Sequence, residues 1–371
     1  MRRSLSLCFV LWLALSGATA QGQLRIGQTA GFSGQVAAGV KEITDGARLY
    51  IDAVNAKGGI AGQKIELISL DDKFEPKLAG ENAVKLVNEQ NVLALFLTRG
   101  TPHTEAVLPV LVKQGVPLIA PSTGAILLHN PVNPHVFNVR ATYQREAEKA
   151  VTHLSSIGMT RIAIVHADDS FGKDGLEGAS KGLAKAGLQA IAIIKADRGK
   201  PDYSTIVPPI VKANAQAILW IGSGSAVADG VKVLRQAGSA AQVVTLSNNA
   251  SSGFIKSLGD AARGVIVTQV FPNERAMGNA FVNEFMDLAK AAGQASVSPA
   301  NLEGFAAAKV LVEALRRAGP KPTRESLLAA LEGLRKFDLG GGLEVSFSPV
   351  DHTGLDFADL SIIGSDGKFR R

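Results

Sequence analysis

Short apolar runs alternate with amphipathic stretches from residue 24 onward, and the alternation occurs twice in the same order. In the first half the expected strands are 24–28, 65–71, 93–97 and 116–120, separated by helical patterns at 39–57, 76–90 and 104–114. Runs this short, apolar on both faces and joined by helices, specify a parallel α/β sheet. The second half restarts with expected strands at 161–165, 190–194, 217–221 and 242–246, again with helical patterns between them. Residues 25–26 fall against 161–162, Ala94 against Ala217 and Pro117 against Val243. Two lobes of one plan follow, and a chain of 371 residues is long enough for both.

Loops after matched strands also match in character. "QTAGFSG" faces "HADDSFG", "TRGTPHT" faces "GSGSAVAD", and "PSTGA" faces "SNNASSG". Each is rich in small and hydroxylated residues and leads into a helix. In parallel sheets, ligands sit beyond the carboxyl ends of the strands, where helix N-termini present free amides. Two such lobes facing each other would make a cleft. Beyond "VTQVFPN" come helical patterns at 280–292 and 301–318, then one ending at Glu332 with Thr323 as its expected N-cap, and strand patterns at 343–347 and 357–363.

Residues 1–20 read as a separate object. Arg2 and Arg3 precede an apolar stretch too short to span a bilayer, and Ala18-Thr19-Ala20 is a small-residue cleavage signature. The expectation is a cleavable signal peptide and export to the periplasm. Cys8, the single cysteine, lies inside that leader, so no disulfide framework is expected. The formal charge of +6 includes Arg2 and Arg3, and the rest of the excess is scattered. It forms no basic stripe with interleaved aromatics, which argues against nucleic-acid binding.

At the level of motifs, "FSGQVAAG", "DGARLYIDAVNAKGGIAGQKIELISLDDKFEP", "GVPLIAPSTGA", "RIAIVHADDSFGKDGLEG", "VLRQAG" and "GDAARGVIVTQVFP" follow one another across most of the chain. In order and spacing they resemble the type I periplasmic solute-binding proteins of ABC importers, in the branched-chain-amino-acid-binding (Leu/Ile/Val-binding-like) group. The resemblance implies an α/β fold of two Rossmann-like lobes with parallel sheets joined by three hinge crossovers, near 140–142, 269–272 and 342–356. The lobes would be 21–140 with 272–350, and 141–271 with 351–371. It also implies a monomer that binds a carboxylate-bearing ligand and hands it to an inner-membrane ABC permease. No cofactor or metal is implied.

Site residues follow from the same loops. Thr101 ends a strand and Pro102 suits N1 of the next helix; by resemblance Thr101 binds a ligand carboxylate, and helix capping is its alternative role. Ser122 and Thr123 stand where the family binds both ends of an amino acid, with Gly100 and Gly124 allowing close backbone approach. From the other lobe, Phe171 matches a position often tyrosine in the family, and Ser223 falls where relatives place another aromatic. Ser247 and Asn248 occupy the place of the carboxylate that pairs with a ligand ammonium in branched-chain-specific relatives. That departure leaves the ligand open between amino acid and organic acid, with Asp168 or Glu303 as substitute partners. Thr101→Ala or Ser122→Ala is expected to weaken affinity with little loss of stability.

Competing classes find weaker support. "GSGSAVADG" lacks the complete dinucleotide fingerprint and its acidic partner. No G-x-S-x-G elbow or H-E-x-x-H occurs, so an enzyme is not expected. His166 ends a strand and reads as a hydrogen-bonded histidine, while Asp71 and Asp72 point to opposite faces and serve turns. A sensing subunit docked on a membrane receptor would use the same closed lobes and remains the alternative to transport.

Overall fold

The computed structural model describes residues 22–294 and 297–371. The leader read at 1–20 lies outside them. In chain order the first half holds β1 (Leu24–Ala30), α1 (Ala37–Ala56), β2 (Ile65–Asp71), α2 (Pro76–Asn88), β3 (Ala94–Phe96), α3 (Thr101–Gln114), β4 (Leu118–Ile119) and β5 (Val136–Phe137). Then come α4 (Tyr143–Ser156), β6 (Ile162–Ala167), α5 (Ser170–Ala186), β7 (Ala192–Ala196), α6 (Tyr203–Lys212), β8 (Ala217–Ile221), α7 (Gly224–Gln236), β9 (Gln242–Thr245), α8 (Ser252–Leu258) and β10 (Ile266–Gln269). The last part holds α9 (Ala280–Ala291), α10 (Pro299–Arg317), α11 (Arg324–Glu332), β11 (Phe337–Asp338), β12 (Glu344–Val345), β13 (Asp359–Ile363) and β14 (Phe369–Arg370).

The first sheet runs β2-β1-β3-β4-β5 and every pairing in it is parallel. The second runs β7-β6-β8-β9-β10-β13-β14, so its first five strands repeat the same order. That identity of order is what the repeated hydrophobic pattern implies. One detail differs from the sequence reading. The second sheet is not wholly parallel, because β13 pairs antiparallel with β10 and β14 with β13. The stretch "VTQVFPN" opens inside β10, and the chain passes to the first lobe after Gln269, with Val270 and Phe271 buried in that lobe's core.

Apolar side chains cover both faces of each sheet. One face of the first sheet packs with α1, α9, α10 and α11, and the other with α2 and α3. The chain leaves the first sheet between β5 and α4, returns between β10 and α9, and leaves again between β12 and β13. Helix α10 is held in place by two kinds of contact. It presses so closely on α1 that a Cβ on Gly304 would lie 1.8 Å from the Ile43 carbonyl oxygen, and one on Gly46 would lie 2.0 Å from that of Asn301. Phe305 anchors it below, edge-on to Tyr50 and Phe285 at 5.3 and 5.2 Å. Burying such a ring contributes about 2–3 kcal/mol.

Caps follow the local sequence. Thr323 caps α11 as expected, in a capping box with Ser326. Asp71 accepts from Ser33 at the surface, while the buried Asp72 accepts from Phe74 N and Thr29 Oγ1. The two carboxylates face opposite ways, as strand alternation requires.

Candidate functional site

Strands β3 and β4 end alike. Leu97 and Ala120, each just past its strand, adopt left-handed φ values of 51° and 52°, uncommon for residues with a side chain. Both turns send the chain over the strand ends in step. The ladder resumes as a bridge between Arg99 and Ser122, with Ser122 N donating to Thr98 O at 2.7 Å. Thr101 and Thr123 then lie side by side, their hydroxyl oxygens 2.8 Å apart and neither exposed.

This geometry revises the helix start. Gly100, with φ 93°, is the N-cap of α3, so Thr101 takes the first helical position and Pro102 the second. Thr101 is therefore not the capping residue. The close approach at Gly124 also serves the protein itself, since a Cβ there would lie 2.5 Å from Ala141 O, and Gly124 O accepts from Tyr143 N.

At the center lies a buried polar cluster that spans both sheets. Arg99, 4% exposed, donates to Ser122 Oγ at 2.8 Å and across the cleft to Asn248 O at 2.6 Å. Ser122 Oγ in turn donates to Glu303 Oε1 at 2.7 Å. Arg140, on the first crossover, binds Glu146 at 2.5 Å and Ser247 Oγ at 2.6 Å, with Glu303 at 3.6 Å. Glu146 also accepts from Ser247 N and from Thr268 Oγ1. Burial works against both guanidinium cations. It lowers the proton affinity of Arg99, whereas Glu303, Tyr143 and Glu146 outweigh it at Arg140 and raise that group's pKa.

Toward one rim, Arg198 pairs with Asp169 and lies over Phe171 at 5.1 Å and over Phe74 of the other lobe at 5.3 Å. His103 stacks on Phe74 at 4.3 Å, and burial pushes its imidazole down to about 4, so it is neutral near pH 7. Ser170 donates to Glu105 across the same gap. At the opposite rim, Glu42 on α1 accepts from Ser252 N and Gly253 N at the start of α8, at 2.9 and 2.8 Å. Between them, Gln35, Gly39, Arg99, Asn248 and Ser251 line a cavity of ≈ 20 Å³. That holds about one water molecule, so no larger solute fits there while the lobes meet in this way.

The residues singled out in sequence thus divide. Ser122, Ser247 and Asn248 join the polar cluster, and Thr101 and Thr123 line its edge. Phe171 packs in the second lobe's core, edge-on to Tyr143 at 4.8 Å, with its other side under Arg198. Ser223 sits at the start of α7, within 3.4 Å of Asn248 Nδ2. Of the two substitute carboxylates, Glu303 reaches the cleft, whereas Asp168 pairs with Lys195 at the half-exposed sheet edge. His166 is buried beside Ala167 O, as a satisfied histidine. Arg99, Arg140 and Glu146 escaped the sequence reading. Arg99 alone carried a local signal, as an arginine two residues past the wholly apolar run 93–97.

Residues 23–358 match the family described as periplasmic binding protein. The Leu/Ile/Val-binding protein BraC3 of Rhizobium johnstonii is 26% identical over 326 residues, covering 84% of each chain. The Leu/Ile/Val/Thr-binding protein of Salmonella typhimurium is 26% identical over 259 residues, 69% of this chain and 70% of its own. Among solved structures, a substrate-binding periplasmic protein from Ralstonia solanacearum superimposes with a TM-score of 0.87 at 34% identity, over 94% of this chain and 99% of its own.

Proposed function

Because this chain belongs to the periplasmic binding protein family, we propose that it binds a small carboxylate-bearing solute, an amino acid or related organic acid, between its lobes and delivers it to an ABC permease. The observation that carries this reading is the Arg99 bridge, where a buried cation from one lobe meets Asn248 O of the other at 2.6 Å. A solute carboxylate is a stronger acceptor for that guanidinium than a neutral carbonyl. Thr101, Pro102, Ser122, Thr123 and Gly124 form the jaw on the first sheet, and Phe171, Ser223, Ser247 and Asn248 the jaw on the second. The lobes are residues 21–140 with 272–350, and 141–271 with 351–371.

In this mechanism solute enters the parted lobes, contacts from both jaws favor closure, and the permease recognizes the closed form. The protein acts in the periplasm as a monomer. A thermal-shift screen over amino acids and organic acids tests the reading, since binding to the folded chain raises its melting temperature. Carboxylate-bearing hits should lose about threefold to tenfold in affinity in Thr101→Ala, read by calorimetry. Hits confined to sugars or neutral amides would refute it.

A further inference from the structure

Arg99 and Glu303 are buried opposite charges whose shared close partner is one neutral hydroxyl. Among the described residues no carboxylate forms an ion pair with Arg99, whose hydrogen bonds go to Ser122 Oγ and Asn248 O. Glu303, 6% exposed, receives the Ser122 hydroxyl at 2.7 Å. It reaches Arg140 only at 3.6 Å, and that guanidinium is already bound to Glu146 at 2.5 Å. Arg99 thus has no anionic partner among the described residues, and Glu303 has only the longer contact to a guanidinium it shares with Glu146; since closely paired buried charges are less costly, each pole gains from an opposite charge brought in from outside.

We propose that Arg99, Ser122 and Glu303 form a cradle for a zwitterion, in which Arg99 takes the carboxylate of an α-amino acid and Glu303 its ammonium. This rests on the binding function proposed above and narrows its ligand class. A simple anion placed at Arg99 also faces the Glu303 carboxylate, and a simple amine placed at Glu303 faces two guanidinium groups. A ligand carrying both charges on neighboring atoms satisfies both poles at once. The ammonium partner missing at Ser247 and Asn248 is thereby supplied by α10, from the opposite lobe. Contact between α1 and α10 at Gly46 and Gly304 fixes that helix and so fixes the carboxylate. Both charged anchors belong to one lobe, so the amino acid docks there first and the second lobe closes over it.

The test uses matched pairs that differ by the ammonium alone: alanine and propionate, leucine and 4-methylpentanoate, phenylalanine and 3-phenylpropionate. Calorimetry on the wild-type chain should show an amino acid binding at least about tenfold more tightly than its deaminated partner. Glu303→Gln should erase that preference by weakening the amino acid and sparing the acid, while Arg99→Gln weakens both. The ratio is taken within one variant, so a partly unfolded fraction cancels. Acids binding as tightly as amino acids overturn the cradle and leave the carboxylate reading standing. Equal loss of both ligands in Glu303→Gln assigns Glu303 a structural role and also overturns the cradle. Should no pair member bind the wild type, the cradle and the carboxylate reading fall together.

Discussion

Replacing Arg140 by methionine removes the cation that, among the described residues, lies against both Glu146 and Glu303. The side chain is 2% exposed, and Glu146 beside it is fully buried. After the change Glu146 keeps Ser247 N and Thr268 Oγ1, and Glu303 keeps only the Ser122 hydroxyl. Two carboxylates then remain buried without a contacting cation, and breaking a buried pair in this way costs about 3–5 kcal/mol. Methionine restores much of the volume, so little of that loss is cavity. Adding Glu146→Gln neutralizes the closer of the stranded charges while keeping an acceptor for Ser247 N. The double variant should therefore recover about 2 kcal/mol relative to Arg140→Met. Urea unfolding followed by fluorescence of Trp220, buried in the second lobe's core, measures this. A cost below about 1 kcal/mol for Arg140→Met, or additive costs in the double variant, would refute the charge-balance argument.

Burial raises the Asp174 carboxyl from 3.8 to about 6. The folded state then holds this proton more tightly than the unfolded state, so stability falls as pH rises through that interval and the penalty is complete above it. Asp174→Asn should gain up to about 3 kcal/mol at pH 8 and nothing at pH 3.5, read as urea midpoints, and equal midpoints at pH 8 would count against it. Glu42→Gln weakens the α1–α8 latch by about 1–2 kcal/mol, lowering solute affinity about fivefold to thirtyfold and enlarging the radius of gyration in solution scattering. An unchanged radius and affinity would remove the latch from the mechanism. Gly304→Ala sets a methyl group 1.8 Å from the Ile43 carbonyl oxygen and must drive α1 and α10 apart. Its cost should exceed about 3 kcal/mol, and a wild-type melting temperature would show that the helices yield without strain.

Much of the fold was legible in the sequence because its signals are local. A run such as Ala217–Ile221 declares a buried strand by composition, and its match to the run around Ala94 declares a second lobe of the same strand order. The loops at strand ends were legible for the same reason, since glycine and hydroxyl residues cluster where a parallel sheet turns toward ligand. β5 was missed because two paired residues carry no periodicity, and the antiparallel edge because strand direction is set by a distant partner.

Ser122 shows where local reading stops. Its sequence marks a small residue in a binding loop, from which Ser122→Ala should touch affinity alone. In the structure its hydroxyl joins Arg99 to Glu303, so that change also strips a buried hydrogen bond from each of two charges and must cost stability. Sequence alone determined the two lobes, the facing strand-end loops and the family. Only the tertiary structure decided the charge pattern of the cleft, because Arg99, Arg140, Glu146 and Glu303 come from separate elements. Whether such a charge is paired depends on distances of a few ångströms that no spacing along the chain encodes.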